Sequence, residues 1–148
     1  MQSQSTTSAD VMKQIKHLFM TYRNGIVADT LRKAGHPFGV IFGLQMPQLA
    51  EIARAIPRDI VTGRQLWADR NVRESRLLAC WIIPPDSISM QEAIDMASGV
   101  LTREEADIMA FRLLRYLPFA HDLASRLLDI SDPLPHYTGE ALLRNLNQ

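Results

Sequence analysis

Three arginines recur at every third position of one segment of the chain, Arg70, Arg73 and Arg76. This spacing places their guanidinium groups on one side of a helix, where they could hold the phosphate backbone of duplex DNA. Other arginines would extend this cationic surface if their helices share one concave face with it: Arg54, Arg58 and Arg64. The alternative is a solvated helix face on which Glu74 and Asp69 pair with the arginines.

The remaining polar residues do not form a pattern typical of a metal or cofactor site. The four histidines are scattered without zinc-ligand spacing, and the single cysteine, Cys80, lies among apolar residues as expected of an inert buried thiol. No glycine loop has the spacing that holds phosphates. No segment interleaves Lys or Arg with aromatic residues, so single-strand binding by base stacking is not predicted. We therefore expect no metal and no cofactor.

Charge is distributed unequally along the 148 residues, although the formal net charge is zero. Up to Arg76 the chain carries 11 Lys and Arg against 6 Asp and Glu, and from Leu77 onward it carries 5 against 10. A basic half suits contact with phosphates and an acidic half repels them, so charge alone assigns no partner.

The apolar content of 47% and charged content of 22% are typical of a folded globular protein. Apolar runs such as residues 77–83 are too short to span a bilayer, and the polar N-terminus lacks the apolar block of a signal peptide. We expect a cytoplasmic protein without a membrane segment.

Apolar residues recur at helical spacing in almost every segment, and Pro or Gly residues separate the segments. The pattern predicts an all-α fold of about nine short antiparallel helices, arranged as a right-handed HEAT- or armadillo-like solenoid. A compact irregular bundle is the alternative. Residues 1–8 are expected to be a flexible N-terminus, and residues 9–148 a single helical-repeat domain.

Several helix boundaries follow from capping and helix-breaking residues. Gly25 is expected to end the first helix. The capping box Thr102-x-x-Glu105 opens a helix that is expected to run to Leu117. The prolines of segment 133–135 are expected to interrupt the chain before a short last helix.

A set of short motifs covering about residues 41–117 resembles the AlkD-type DNA alkylation-repair proteins. The motifs, in order, are Ile41-Phe42-Gly43-Leu44, Pro47-Gln48-Leu49, Ile52-Ala53, Leu66-Trp67 and Glu74-Ser75-Arg76-Leu77-Leu78-Ala79. Members of this family are HEAT-like solenoids that remove bulky or cationic alkylated bases from DNA without flipping the base. The resemblance implies the same fold and a related activity.

The resemblance also implies a catalytic carboxylate. The family places it last in a Trp-Asp-x-x-Asp motif, where it stabilises the oxocarbenium character that base excision develops on the sugar, with help from an aromatic ring. The matching stretch here is Arg103-Glu104-Glu105-Ala106-Asp107, so Asp107 takes the catalytic position and Arg103 replaces the ring. Because Arg103 and Asp107 are four residues apart, we expect an ion pair that neutralises the carboxylate.

A further Arg and Trp act downstream in the family. Arg144 lies near the position of that Arg, whereas the last tryptophan here is Trp81. We therefore expect a DNA-associated protein with weak or absent base-excision activity, in which Asp107 acts on the sugar. The arginines expected to hold the DNA are Arg54, Arg70, Arg73 and Arg76. The alternative function is a non-enzymatic scaffold that binds a protein partner.

Overall fold

The computed structural model describes residues 7–148, and within this range it contains nine α-helices, two 3₁₀ turns and no strand. The helices are α1 (Ser8–Tyr22), α2 (Gly25–Lys33), α3 (Met46–Ala55), α4 (Ile60–Ala68), α5 (Arg73–Ile82), α6 (Met90–Ser98), α7 (Arg103–Arg112), α8 (Ala120–Leu128) and α9 (Pro133–Leu146). The all-α prediction is confirmed. Of the predicted flexible segment 1–8, residues 1–6 lie outside the described residues, whereas Thr7 caps α1 and Ser8 begins it.

Residue contacts divide the chain into two units. The first unit ends at Ile82 and contains α1–α5, and the second covers Ile83–Gln148 and contains α6–α9. Each unit buries its own apolar side chains. Those of the first include Ile15, Phe19, Leu44, Ile52 and Leu66, and those of the second include Met109, Leu113, Leu123, Leu127 and Leu142. The single repeat domain over residues 9–148 stays a prediction.

Helix α2 begins at the glycine that was expected to end α1. The side chain of Asn24 accepts hydrogen bonds from the backbone N–H groups of Ile26 at 3.1 Å and Val27 at 3.2 Å. Because this cap satisfies the first amides of α2, Gly25 starts a helix instead of ending one.

Helix α7 carries the expected cap but is shorter than predicted. The Thr102 side chain accepts from the Glu105 N–H at 3.1 Å, and the Glu105 carboxylate accepts from the Leu101 N–H at 2.8 Å. The helix ends at Arg112 rather than Leu117, because Leu113 leaves the helical conformation with φ −126° and ψ −61°. A 3₁₀ turn over Leu114–Tyr116 follows.

Helix α9 includes the prolines that were expected to interrupt it. Pro133 is its first residue and Pro135 lies in its first turn, where an amide would have no partner within the helix. The helix therefore runs unbroken to Leu146. It packs against both α7 and α8. At Gly139 an added Cβ would lie 2.9 Å from the Leu127 Cβ, so the approach to α8 is close.

Candidate nucleic-acid interface

The arginine stripe predicted along α5 is not a surface feature. Arg73 is 3% exposed and Arg76 is 2% exposed, and of the three arginines only Arg70, before the helix, is exposed to solvent. The prediction that Arg73 and Arg76 present a cationic face to DNA is therefore wrong for the folded chain. The first turns of α5 are buried on all sides, because residues 38–44 pack over them.

The fully buried carboxylate of Glu74 explains this arrangement. Its Oε1 accepts a hydrogen bond from the Phe42 N–H at 2.9 Å, and its Oε2 accepts from Gly43 at 3.0 Å and Leu44 at 3.3 Å. The Arg73 Nη1 lies 2.6 Å from Glu74 Oε2 and donates to the Leu44 carbonyl oxygen at 2.9 Å. Glu74 thus pairs with an arginine, but in the core and not on a solvated face.

Arg76 is likewise used for packing. Its guanidinium carbon lies 3.6 Å from the centroid of the Trp67 ring, and its Nη1 donates to the Trp67 carbonyl oxygen at 3.3 Å. Three of the motifs that carry the family resemblance, residues 41–44, 66–67 and 74–79, therefore meet inside the first unit. Their contacts hold residues 42–44 and 67 against α5, and this is an architectural role.

Arg54 lies on the exposed side of α3, apart from this buried network. It borders a shallow groove together with Leu18, Tyr22 and Glu51. The Glu51 carboxylate lies one turn earlier on the same helix, so the groove carries both signs of charge. Arg54 and Arg70 remain exposed cations of the first unit.

The predicted catalytic residue Asp107 lies in a cluster of polar side chains from α7 and α9 of the second unit. The Tyr137 hydroxyl donates to Asp107 Oδ1 at 2.8 Å, and the Arg144 Nη2 lies 3.8 Å from the same oxygen. The side chains of Asp107 and Arg144 are 51% and 58% exposed. Within residues 7–148 both contacts are made to Oδ1, and the half-exposed side chain remains accessible to a ligand.

The ion-pair partner of Asp107 differs from the one predicted. Arg144 on α9 pairs with the carboxylate, whereas Arg103 lies over the Tyr137 ring with its guanidinium carbon 4.8 Å from the centroid. The Arg144 guanidinium carbon lies 5.6 Å from the same centroid. The cluster therefore contains an aromatic ring beside the carboxylate, supplied by α9 and not by the position that Arg103 occupies.

Tyr137 was missed because segment 133–135 was expected to break the helix. Once α9 is continuous, Tyr137 and Arg144 are seven residues apart, two turns along one face. That spacing is the sequence signal that could have identified the pair.

A second aromatic group follows on the same side of α7. Arg103, Asp107 and Phe111 succeed one another at four-residue intervals and are all exposed. Arg115, in the 3₁₀ turn, has its guanidinium carbon 5.0 Å from the ring centroids of both Phe111 and Tyr116. The expectation that no basic segment is interleaved with aromatic residues is wrong for residues 111–116, which read Phe-Arg-Leu-Leu-Arg-Tyr.

The pKa of Tyr137 is raised above its ordinary value of 10.0, first by the hydrogen bond to Asp107, then by burial and by the negative charge of that carboxylate, while Arg144 lowers it. At a pH between the unfolded and the folded pKa of Tyr137, the folded protein therefore keeps a proton that the unfolded chain releases. The contribution of this phenol to stability is complete below its unfolded pKa and is lost as the pH rises through the folded pKa.

This arrangement predicts that two substitutions change the pKa of Tyr137 in opposite directions. Asp107→Asn lowers the pKa of Tyr137 because it weakens the hydrogen bond to a charged acceptor and removes the carboxylate charge, and Arg144→Gln raises it because it removes the nearby guanidinium. Ultraviolet absorbance of tyrosinate measures both, with Tyr137→Phe identifying the transition that belongs to this residue. A titration that moves in the same direction in both variants would contradict the cluster geometry.

The chain matches no protein-family model, no curated protein and no solved structure. The described helices include none that is long and apolar enough to cross a membrane. In residues 7–148 no group of three or more His, Cys, Asp or Glu side chains could hold a metal ion. The fold and the site define an all-α protein with a surface cluster of one carboxylate, aromatic rings and guanidinium groups.

Proposed function

We propose that the chain is a cytoplasmic, HEAT-like DNA-associated protein that resembles the alkylpurine DNA glycosylases, with weak or no base-excision activity. The observation that supports this most is the cluster on α7 and α9, where the accessible Asp107 carboxylate lies beside the Tyr137 ring and Arg144. A carboxylate and an aromatic ring are the groups that stabilise a cationic sugar during excision.

The distribution of arginines in the second unit supports contact with a phosphate backbone at this cluster. This unit contains five arginines and no lysine. Four of the five lie on α7, on the turn after it or near the end of α9: Arg103, Arg112, Arg115 and Arg144. The fifth, Arg126 on α8, pairs with Asp122 at 3.4 Å. The same elements carry four carboxylates, so any contact with a phosphate backbone there depends on the individual guanidinium groups and not on a local excess of positive charge.

Two features of the cluster lead us to expect weak or absent excision. Arg144 and the Tyr137 hydroxyl both approach Asp107 Oδ1 and offset part of the negative charge that the reaction needs. Arg103 occupies the face of the Tyr137 ring with a cation, so a developing sugar cation would have to compete with it.

Duplex binding tests the DNA association. We expect binding that weakens steeply between about 50 mM and about 200 mM salt. The Arg103→Gln, Arg144→Gln double variant should reduce the slope of log K against log salt by about two, one for each phosphate contact. Arg126→Gln is the matched control and leaves the slope unchanged. If the parent does not bind duplex DNA at low salt, the DNA proposal is wrong and the protein-scaffold alternative is favoured.

Base release tests the enzymatic part separately. Any release of an N-alkylated purine from alkylated duplex DNA is expected to disappear in Asp107→Asn, because the amide carries no charge to stabilise the sugar cation. Equal release by the parent and Asp107→Asn would exclude a catalytic role for Asp107. No release by the parent would limit the function to DNA association.

A further inference from the structure

Two exposed aromatic side chains lie around one arginine at the end of α7. Phe111 is 39% exposed and Tyr116 is 49% exposed, although large aromatic side chains usually bury most of their surface. The Arg115 guanidinium lies 5.0 Å from both ring centroids, so it links the two rings into one surface feature. We call Phe111, Arg115 and Tyr116 the aromatic triad.

The triad is held by a rigid support. The chain leaves the helical conformation at Leu113, and the buried side chains of Leu113 and Leu114 anchor the turn in the core of the second unit. The Tyr116 N–H donates to the Leu113 carbonyl oxygen at 3.1 Å, which fixes the backbone that carries the second ring. Both rings are thus presented to solvent from a fixed backbone, and ordering them for a ligand costs little conformational entropy.

The chemistry of the triad fits an unpaired nucleobase. Every base has a planar π face that stacks on an aromatic ring. A stacked base would compete with Arg115 for the ring faces that it lies over, and the displaced guanidinium can contact the neighbouring phosphate. Phe111 lies one turn, about 6 Å of helix rise, from Asp107 on the same side of α7. A nucleotide stacked on Phe111 would therefore have its strand pass the Asp107 cluster.

We propose that the aromatic triad binds a single-stranded segment of DNA by stacking an unpaired base, next to the Asp107 cluster. This inference rests on the proposed DNA association and adds a second mode of binding to it. The duplex is held by charge alone, whereas the single strand is held by charge and by stacking.

A comparison of two strands of equal length and charge isolates the stacking. The probes are a fluorescently labelled oligothymidylate and the same backbone without bases, and fluorescence anisotropy gives both affinities. We expect the parent to bind oligothymidylate about 5- to 150-fold more tightly than the abasic strand, the range expected for one stacked base.

Variants of the aromatic residues test whether the preference for strands with bases depends on the aromatic triad. Phe111→Leu with Tyr116→Leu should abolish the preference for bases and leave abasic-strand affinity unchanged, because it removes π faces but no charge. Tyr22→Leu, on α1 of the first unit, is the aromatic control and should retain the full preference. Helix content by circular dichroism confirms that each variant is folded.

Each outcome separates the two proposals. Equal affinity of the parent for the two strands, alongside salt-dependent duplex binding, overturns the stacking site alone. Binding of a protein partner would then be the favoured explanation of the exposed rings. A base preference that survives the double variant also overturns it. A base preference that depends on the triad, without duplex binding, supports the stacking site and contradicts the proposed function. No binding to any of these probes overturns both.

Discussion

Replacement of Glu74 by glutamine should lower the free energy of unfolding by about 3–5 kcal/mol, the cost of leaving a buried charge without its partner. Glutamine keeps the volume but removes the charge that faces Arg73 at 2.6 Å in a fully buried position. Its amide offers one acceptor oxygen in place of two, whereas three backbone N–H groups point at this carboxylate. Each buried donor that loses its acceptor costs about 1–3 kcal/mol.

Urea denaturation measures this effect, and Glu51→Gln on the exposed side of α3 is the matched control, expected to change stability by less than about 0.5 kcal/mol. Replacing the pair by Arg73→Met and Glu74→Leu should not restore stability. The ion pair can be exchanged for apolar groups, but the amides of Phe42, Gly43 and Leu44 then have no acceptor. If Glu74→Gln lowers the free energy of unfolding by less than about 1 kcal/mol, residues 42–44 are not held by this carboxylate.

Substitution of Gly43 by alanine is expected to be the second most damaging change. Gly43 has φ +85°, a left-handed conformation that costs a residue with a side chain about 1–2 kcal/mol. An added Cβ would also overlap the carbonyl oxygen of Asn24 and lie 2.9 Å from the Ala28 nitrogen, both backbone atoms that cannot turn aside. Overpacking of this kind adds about 1–3 kcal/mol, so we expect a total loss of about 2–5 kcal/mol.

Two other glycines separate these contributions. Gly35 has φ +91° with nothing within 4 Å of an added Cβ, so Gly35→Ala should cost only the left-handed term of about 1–2 kcal/mol. Gly25 has open space and no positive φ, so Gly25→Ala should change stability by less than about 1 kcal/mol. Thermal unfolding of the three variants tests the order. The close packing at Gly43 would be refuted if its variant were no less stable than Gly35→Ala.

The elements that could be predicted are those with local signals. Helical apolar spacing identified the all-α fold, and the Thr102-x-x-Glu105 box located the start of α7. Residues that are compatible with two opposite structures led to wrong boundaries. Proline both ends helices and starts them, so segment 133–135 was placed outside α9 although it begins it.

The candidate site was only partly predictable because its partners come from distant positions. Asp107 was identified through the resemblance, but the ion pair was assigned to Arg103 because i and i+4 residues can be paired from sequence alone. Arg144 and Tyr137 approach Asp107 through the packing of α9 on α7, which no local spacing encodes. The prediction for the arginines of α5 is wrong for the same reason, since Arg73 is bound to a loop about thirty residues earlier and Arg76 packs on Trp67 of the preceding helix.

The stacking of Arg76 on Trp67 also makes tryptophan fluorescence a probe of the first unit. Both indoles of the chain, Trp67 and Trp81, belong to the first unit, whereas the phenols of Tyr116 and Tyr137 belong to the second. Tryptophan emission therefore follows the loosening of α1–α5 alone, and far-ultraviolet ellipticity follows all helices. Coincident melting curves from the two signals would mean that the halves unfold cooperatively, and separated curves would mean that each melts by itself.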